Sequence, residues 1–387
     1  MKILWVGDAV VDTGFSRVTH NICERLIQRG HEVNILGVNY YGDPHPHPFR
    51  IYVPSLGQKE DIWGFDRIWP LTKAIKPDVV SLLNDPYVIA QYLQNRPADL
   101  VCPVVAYVPI DGKNVREDIA LTLCRLDGVI FYTEFGRKEA SKSGFVGQSW
   151  VIPHGVDPLY GPKDRLESRK RMGLPPSLHD AFLFGNINRN QPRKRLDLTV
   201  EYFAEFLKRT DAGNAYLYLH CTEEDLGIRP GQLCKYYGID HRLIMPSMES
   251  LNPAKGVSQE LLCHIYSSLD VQITTTSGEG FGLSTIEGMA CGIPNIIPDW
   301  AALGEWPRGQ GCRVIPCTST WCFPGGVNTV GGLPDRDRFV QAMIELYGDA
   351  EVRAQLGREA RKRSTGPEFD WDNITDQFVE VFKEVVP

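Results

Sequence analysis

Short apolar runs alternate with amphipathic segments from the first residues of the chain. Residues 2–7 are apolar and end at a glycine, which predicts a buried parallel strand. Apolar positions at helical spacing follow from Ser16 to Gly30, and residues 32–36 predict the next strand. This order of strand, loop, helix and strand is typical of a doubly wound α/β sheet.

The same alternation runs through the rest of the chain in two series. In the first series, further strands are predicted at residues 78–83, 104–108, 128–131 and 150–153. In the second, strands are predicted at residues 182–185, 215–220, 243–245, 271–273 and 294–297, and helices at 196–207, 260–269 and 371–386. We therefore predict an N-terminal domain (1–160), a proline-containing charged linker (161–176), a C-terminal domain (177–366) and a closing helix (367–387) that returns to the N-terminal domain.

Length and composition narrow the class of protein. A chain of 387 residues favours two domains over one core. The net charge of −7 argues against long-range attraction to nucleic acid or acidic membranes. The ten cysteines lack zinc-site spacing and are interpreted as free thiols, and no segment is apolar enough for a membrane helix. We therefore expect a cytoplasmic protein.

The most informative segment runs from Ser277 to Gly292. A predicted strand ends there in a glycine-rich loop, and a helix is predicted to begin near Ser284. Glycines let a ligand approach the backbone closely, and the N–H groups at a helix start favour an anion. Two carboxylates, Glu279 and Glu287, flank this loop and suit sugar hydroxyls better than phosphate. Ser284 and Glu287 also match a capping box, which would explain Glu287 without a ligand.

This segment resembles the E-x7-E signature of retaining GT-B glycosyltransferases, a superfamily that includes glycogen synthase and the family 4 enzymes. The match covers Glu279, Gly280–Leu283, Glu287, Met289–Gly292 and Pro294. The resemblance implies two Rossmann-like domains that face a central cleft. It also implies that Glu279 contacts the donor sugar, that Glu287 holds the ribose, and that the backbone of Phe281, Gly282 and Leu283 lies against the sugar and diphosphate.

A second motif lies upstream, where four basic residues follow a predicted strand between Gly185 and Arg195. On charge alone this could be a solvated loop. The superfamily places an arginine here and a lysine five residues later, which implies that Arg189 and Lys194 neutralise the donor diphosphate. The remaining binding residues in this prediction are Asn188 in this motif, Gly14 in the first loop of the N-terminal domain, and Gly280 and Ser284 in the glycine-rich segment.

The sequence departs from the superfamily after the strand that ends at Val108. Many relatives carry a histidine in this region, whereas this chain has Asp111 followed by Gly112. Asp111 could contact a sugar or acceptor hydroxyl and assist its deprotonation, or it could be an ordinary turn residue. We include it with Glu279, Arg189 and Lys194 among the candidate catalytic residues.

The resemblance predicts a function in broad terms. It implies transfer, with retention, from a nucleoside-diphosphate sugar to an acceptor hydroxyl, with UDP-sugars favoured over GDP-sugars and with no cofactor or obligatory metal. The acceptor is open among saccharides, small molecules, lipid carriers and modified nucleic-acid bases. The segments at Thr13–Arg17 and Pro109–Gly112 resemble phage-encoded members, some of which glycosylate DNA bases. The alternative outside the enzyme class is a non-catalytic protein that binds sugar nucleotides.

Overall fold

The chain forms two compact α/β units, each containing one seven-stranded sheet. The computed structural model describes residues 1–10, 13–56, 61–246, 256–324 and 329–387. The first unit comprises residues 1–110, 114–155 and 367–387, and the second comprises residues 111–113 and 156–366. The predicted two-domain α/β fold is confirmed.

The first unit alternates strands and helices in the predicted manner. Its strands are β1 (Lys2–Asp8), β2 (Glu32–Val38), β3 (Arg50–Tyr52), β4 (Val79–Leu83), β5 (Val104–Val108), β6 (Gly128–Phe131) and β7 (Ser149–Val151). The helices between them are α1 (Gly14–Gln28), α2 (Ile68–Ile75), α3 (Pro86–Gln94), α4 (Glu117–Leu123) and α5 (Glu134–Lys142). The strands pair in parallel in the order β3-β2-β1-β4-β5-β6-β7, so the order reverses between β1 and β4.

The second unit repeats this plan. Its strands are β8 (Phe182–Asn186), β9 (Ala215–Leu219), β10 (Leu243–Ile244), β11 (Val271–Ile273), β12 (Asn295–Asp299), β13 (Cys312–Cys322) and β14 (Val330–Pro334). Its helices are α6 (Arg165–Arg171), α7 (Leu196–Arg209), α8 (Pro230–Tyr237), α9 (Gln259–Ser268), α10 (Leu283–Ala290), α11 (Arg336–Gly348) and α12 (Ala350–Ser364). The sheet order is β10-β9-β8-β11-β12-β13-β14, and β14 pairs antiparallel to β13, which the sequence did not predict.

The segment predicted as a charged linker contains α6 and lies within the second unit. The side chain of Arg169 is fully buried there, and its guanidinium bonds Asp270 Oδ2 at 2.8 Å and the Ser268 carbonyl at 3.1 Å. A buried charge is tolerated because it is paired and hydrogen-bonded. Within the predicted linker, Arg169 therefore anchors α6 in the second unit.

The C-terminal segment forms α13 (Trp371–Val385), which contacts α1 in the first unit. Its buried Phe378 packs against Trp5 and Tyr107, with ring centroids 6.0 and 4.9 Å apart. Asp370 caps the helix by accepting the Asp372 N–H at 2.8 Å. Asp370 and Asp372 therefore mark the start of the helix.

Candidate active site

Two loops of the second unit lie side by side at the point where the strand order of the sheet reverses. β8 and β11 are neighbours in the sheet, while β9 continues from β8 in the opposite direction. Ligands of doubly wound sheets bind at the carboxyl ends of the strands at such a reversal. The loop after β8 spans residues 187–195, and the loop after β11 spans residues 274–282. These are the two segments that the sequence singled out.

Backbone and hydroxyl hydrogen bonds connect these loops. The carbonyl of Arg193 accepts from both the N–H and the Oγ of Ser277, each at 2.9 Å. Thr275 Oγ1 donates to the Arg195 carbonyl at 2.7 Å. Because both loops also continue directly from paired strands, the side chains they carry are held in a defined arrangement.

Glu279 lies at the centre of this arrangement. Only 7% of the residue is exposed, and its carboxylate accepts from Lys194 Nζ at 2.6 and 2.8 Å and from Arg193 Nη1 at 2.9 Å. Burial opposes ionisation of this carboxyl, but the charges of Lys194 and Arg193 outweigh it and lower the pKa of Glu279 to about 2. Burial in turn lowers the pKa of Lys194, opposed by Glu279. Glu279 is therefore an ionised hydrogen-bond acceptor at neutral pH.

Arg193 is a site residue that the sequence interpretation missed. The Arg-x4-Lys spacing selected Arg189, whereas the structure places the Arg189 guanidinium on Asp225 at 2.8 and 3.0 Å, with 59% of its side chain exposed. Arg193 instead joins Lys194 at Glu279. The available signal was a second cation directly before Lys194, and the structure places both residues in the 3-10 turn Pro192–Lys194 within the loop.

Asp111 belongs to this cluster. Its Oδ2 lies 3.3 Å from Arg193 Nε. Burial raises the pKa of Asp111, Glu279 raises it further, and Arg193 and the Gly280 N–H oppose the rise. The structure therefore brings Asp111, Glu279 and Lys194 together around Arg193.

The segment Asp111–Lys113, which we call the strap, is part of the second unit. The Lys113 N–H donates to the Val330 carbonyl at 3.0 Å, and the Val330 N–H donates back at 2.9 Å. The Lys113 ammonium lies 4.2 Å from the centroid of the Trp300 ring. These contacts fix the position of Asp111 beyond its single ion pair.

The glycine-rich loop turns sharply into α10. Gly282 has φ of +99°, and a Cβ there would lie 2.7 Å from Leu303 Cδ2, so a glycine is required. Phe281 stacks on Trp306 at 5.1 Å between centroids, and its carbonyl accepts from Trp306 Nε1 at 2.8 Å. α10 then begins at Leu283, which leaves N–H groups of its first turn available for an anion.

Glu287 is buried in α10, and its Oε2 accepts from Tyr266 Oη at 2.8 Å. The capping-box interpretation of Ser284 and Glu287 is wrong, because Gly282 is the N-cap and no side chain caps the helix. Ser284 is the second helical residue, and its carbonyl accepts from Gln272 Nε2 at 2.8 Å. Glu287 therefore needs an explanation other than helix capping.

The other two predicted residues lie in different surroundings. Asn188 is buried, and its Nδ2 donates to Asn186 Oδ1 at 2.7 Å and to Thr274 Oγ1 at 3.3 Å. These bonds support the carboxyl edge of the sheet. Gly14 is in the first unit, where it is the first residue of α1, and Thr13 caps that helix by accepting from the Ser16 N–H at 3.2 Å.

No group of three or more histidine, cysteine, aspartate or glutamate side chains among the described residues could hold a metal ion. Of the helices in the described part of the chain, none is long and apolar enough to cross a membrane.

The two doubly wound units define the class of protein as GT-B, and solved structures agree. Sucrose-phosphate synthase from Thermosynechococcus elongatus aligns with a TM-score of 0.77 and 17% identity, over 100% of this chain and 99% of its own. HepE of Anabaena in complex with UDP-glucose aligns with a TM-score of 0.73 and 16% identity, over 99% and 100% of the two chains. At these identities the likeness establishes the fold.

Sequence comparison finds similarity to glycosyltransferases over part of the chain. Residues 13–159 match the model of glycosyltransferase family 4, which agrees with the resemblance to family 4 enzymes of the GT-B fold that the sequence predicted. The chain is 32% identical to D-inositol 3-phosphate glycosyltransferase of Geodermatophilus obscurus over 240 residues, which are 60% of this chain and 46% of that protein. The corresponding protein of Actinosynnema mirum is 29% identical over 244 residues, 61% and 53% of the two chains. The matched region thus spans about half the length of these relatives.

Proposed function

We propose that this protein is a retaining glycosyltransferase that transfers a sugar from a nucleoside-diphosphate sugar to an acceptor hydroxyl. The observation that carries the proposal is the pair of cations, Lys194 and Arg193, that donate hydrogen bonds to the Glu279 carboxylate beside the start of α10. It joins a sugar-binding carboxylate to cations suited to a diphosphate. HepE, which shares the fold, was solved with UDP-glucose, which supports a UDP-sugar as the first candidate donor, and a GDP-sugar is the next candidate.

The chemistry follows from the charges. As the bond between the anomeric carbon and the diphosphate oxygen breaks, negative charge develops on that oxygen. Lys194, Arg189 and the first turn of α10 would stabilise this charge, so the proposal requires no metal ion. The acceptor oxygen forms the new bond on the face that the diphosphate leaves, and its proton passes to a phosphate oxygen. Glu279 orients the sugar and Glu287 the nucleotide ribose.

The acceptor is proposed only by class. Saccharides, small metabolites, lipid carriers and modified nucleic-acid bases all present suitable hydroxyls, and the loops around Gly14 and Asn84 in the first unit are candidates for binding them. Asn84 is buried at the end of β4, where strand order reverses in that sheet. A cytoplasmic location and a phage origin stay predictions from the sequence.

The test is a panel of UDP-, GDP- and ADP-sugars, with binding followed by thermal shift and donor turnover by release of the nucleoside diphosphate. We expect one donor to stabilise the protein and to be hydrolysed slowly, in the presence of EDTA as well. Anomeric proton couplings of a transferred sugar then report retention. Binding without hydrolysis or transfer would favour the non-catalytic binding protein, and no binding would overturn the proposal.

Variants of the buried Glu287–Tyr266 pair test the nucleotide subsite. Glu287→Ala and Tyr266→Phe should both weaken binding of the nucleoside diphosphate, the first more strongly, because Tyr266 acts through the carboxylate that it orients. Tyr236→Phe is the matched control, since Tyr236 is 81% exposed. Unchanged affinity in Glu287→Ala would remove the assigned role of Glu287.

A further inference from the structure

Asp111 and Glu279 share one guanidinium in the second unit. Arg193 Nε lies 3.3 Å from Asp111 Oδ2, and Arg193 Nη1 lies 2.9 Å from Glu279 Oε2. We infer that Asp111 is a second carboxylate facing the donor sugar and that, with Glu279, it selects a neutral sugar over an acidic one. This inference rests on the proposed function, because it concerns the sugar of the same donor.

The backbone holds Asp111 against the glycine-rich loop. A Cβ added to Gly278 would lie 1.8 Å from the Asp111 carbonyl oxygen, so the strap passes directly beside the residue that precedes Glu279. A Cβ on Gly112 would likewise lie 2.5 Å from the Val330 carbonyl oxygen. Both contacts require glycine, and together with the paired bonds between Lys113 and Val330 they fix the Asp111 backbone. An ordinary solvent-facing turn would need none of these contacts.

The charges explain the proposed selectivity. Two cations, Arg193 and Lys194, face two carboxylates, Asp111 and Glu279, so the cluster is balanced before any ligand binds. An ionised carboxylate offers about four acceptor positions, so both groups can accept further hydrogen bonds from sugar hydroxyls. The carboxylate of an acidic sugar would instead place a further negative charge beside Asp111 and Glu279, in addition to the charge of the diphosphate that these cations also face. Repulsion between partly buried charges is only weakly screened.

A purely structural role is the rival explanation, in which Asp111 does no more than secure the strap to Arg193. That role predicts a loss of stability on replacement, with no change in which sugar is preferred. The ratio of affinities for a neutral and an acidic donor therefore separates the two explanations.

The experiment measures dissociation constants of the full chain by calorimetry for UDP, UDP-glucose and UDP-glucuronate, with GDP, GDP-mannose and GDP-mannuronate in parallel. In the nucleotide series that binds, we expect the neutral sugar to bind at least about tenfold more tightly than the acidic one. Asp111→Asn should reduce this ratio at least about threefold and change the affinity for the nucleoside diphosphate less than about twofold. Asp118→Asn is the control, since Asp118 is an exposed partner of Arg116.

Equal binding of neutral and acidic donors by the unmodified chain would overturn the inference and leave the proposed function standing. An unchanged ratio in Asp111→Asn would do the same. If neither nucleoside diphosphate nor any of the donors binds, the proposed function fails and the inference fails with it. Should Asp111→Asn not fold, Asp111→Ser takes its place, with the same expected fall in the ratio, and an unchanged ratio in that variant would overturn the inference.

Discussion

Both carboxylate oxygens of Glu279 accept hydrogen bonds from the Lys194 ammonium, at 2.6 and 2.8 Å. The two residues are 85 positions apart, and they meet because their loops follow β8 and β11, the neighbouring strands at which the sheet order reverses. The side chains are only 14% and 9% exposed. Each charge therefore depends on the other for its burial, which makes the pair sensitive to loss of either partner.

The first prediction is a coupling between these two charges in stability. Glu279→Gln and Lys194→Met should each lower the free energy of unfolding, by up to about 3–5 kcal/mol, because each leaves the buried cluster of Glu279, Lys194, Arg193 and Asp111 with an unbalanced charge. The double variant should lose clearly less than the sum, measured by urea unfolding. Replacing Lys383, which pairs with Glu380 on an exposed surface, should cost no more than about 1 kcal/mol. Additive losses at Glu279 and Lys194 would contradict the coupling.

The second prediction concerns acid stability. The pKa of Glu279 is lowered from 4.5 to about 2 in the folded chain, so its contribution to stability is present above about pH 4.5 and is lost as the pH falls toward 2. Across that window Glu279 should account for about 3 kcal/mol of the decline in unfolding free energy. Glu279→Gln should flatten the curve there, whereas Glu384→Gln, on an exposed carboxylate, should not. Parallel curves for Glu279→Gln and the unmodified chain would refute this assignment.

The sequence predicted many of the strands and both loops of the candidate site, because the patterns that indicate them are local. The strands at 104–108, 128–131 and 271–273 have the predicted bounds, since short apolar runs bounded by polar residues leave little choice of register. Patterns of glycine and charge within a few residues identified both loops, the one that carries Lys194 and the one that carries Glu279.

Long-range contacts were beyond such patterns. Lys113 pairs with Val330, and Arg169 is buried against Asp270, through contacts across distant parts of the chain that leave no periodic trace in either segment. The Arg-x4-Lys motif selected Arg189 from its position in the sequence. Arg193 reaches Glu279 because it lies in the 3-10 turn Pro192–Lys194, which the motif does not describe. β13 was missed because its residues include a proline and several polar groups, which weaken the strand pattern.

The third prediction separates the two arginines. Asp225 pairs with Arg189 and thereby competes with a diphosphate for the same guanidinium. Asp225→Asn should raise the affinity for the nucleoside diphosphate by about two- to tenfold, and Arg189→Ala should lower it by a similar factor. Asp337→Asn is the control, because Asp337 forms an ion pair with Arg209 at the surface of the same unit. A lower affinity in Asp225→Asn would mean that Asp225 positions Arg189 rather than competing for it.

The fourth prediction concerns the contact of Gly278 with the strap. Gly278→Ala would bring its Cβ to 1.8 Å from the Asp111 carbonyl oxygen, a backbone atom that cannot move without displacing Asp111–Lys113. We expect a loss of stability of about 1–3 kcal/mol and weaker donor binding, both measured on the same preparation. Gly213→Ala is the matched control, because a Cβ there meets no atom within 4 Å. That control should leave stability within about 1 kcal/mol of the unmodified chain and donor affinity unchanged. If the two variants behave alike, the strap does not press on the glycine-rich loop, and the placement of Asp111 beside Glu279 must be revised.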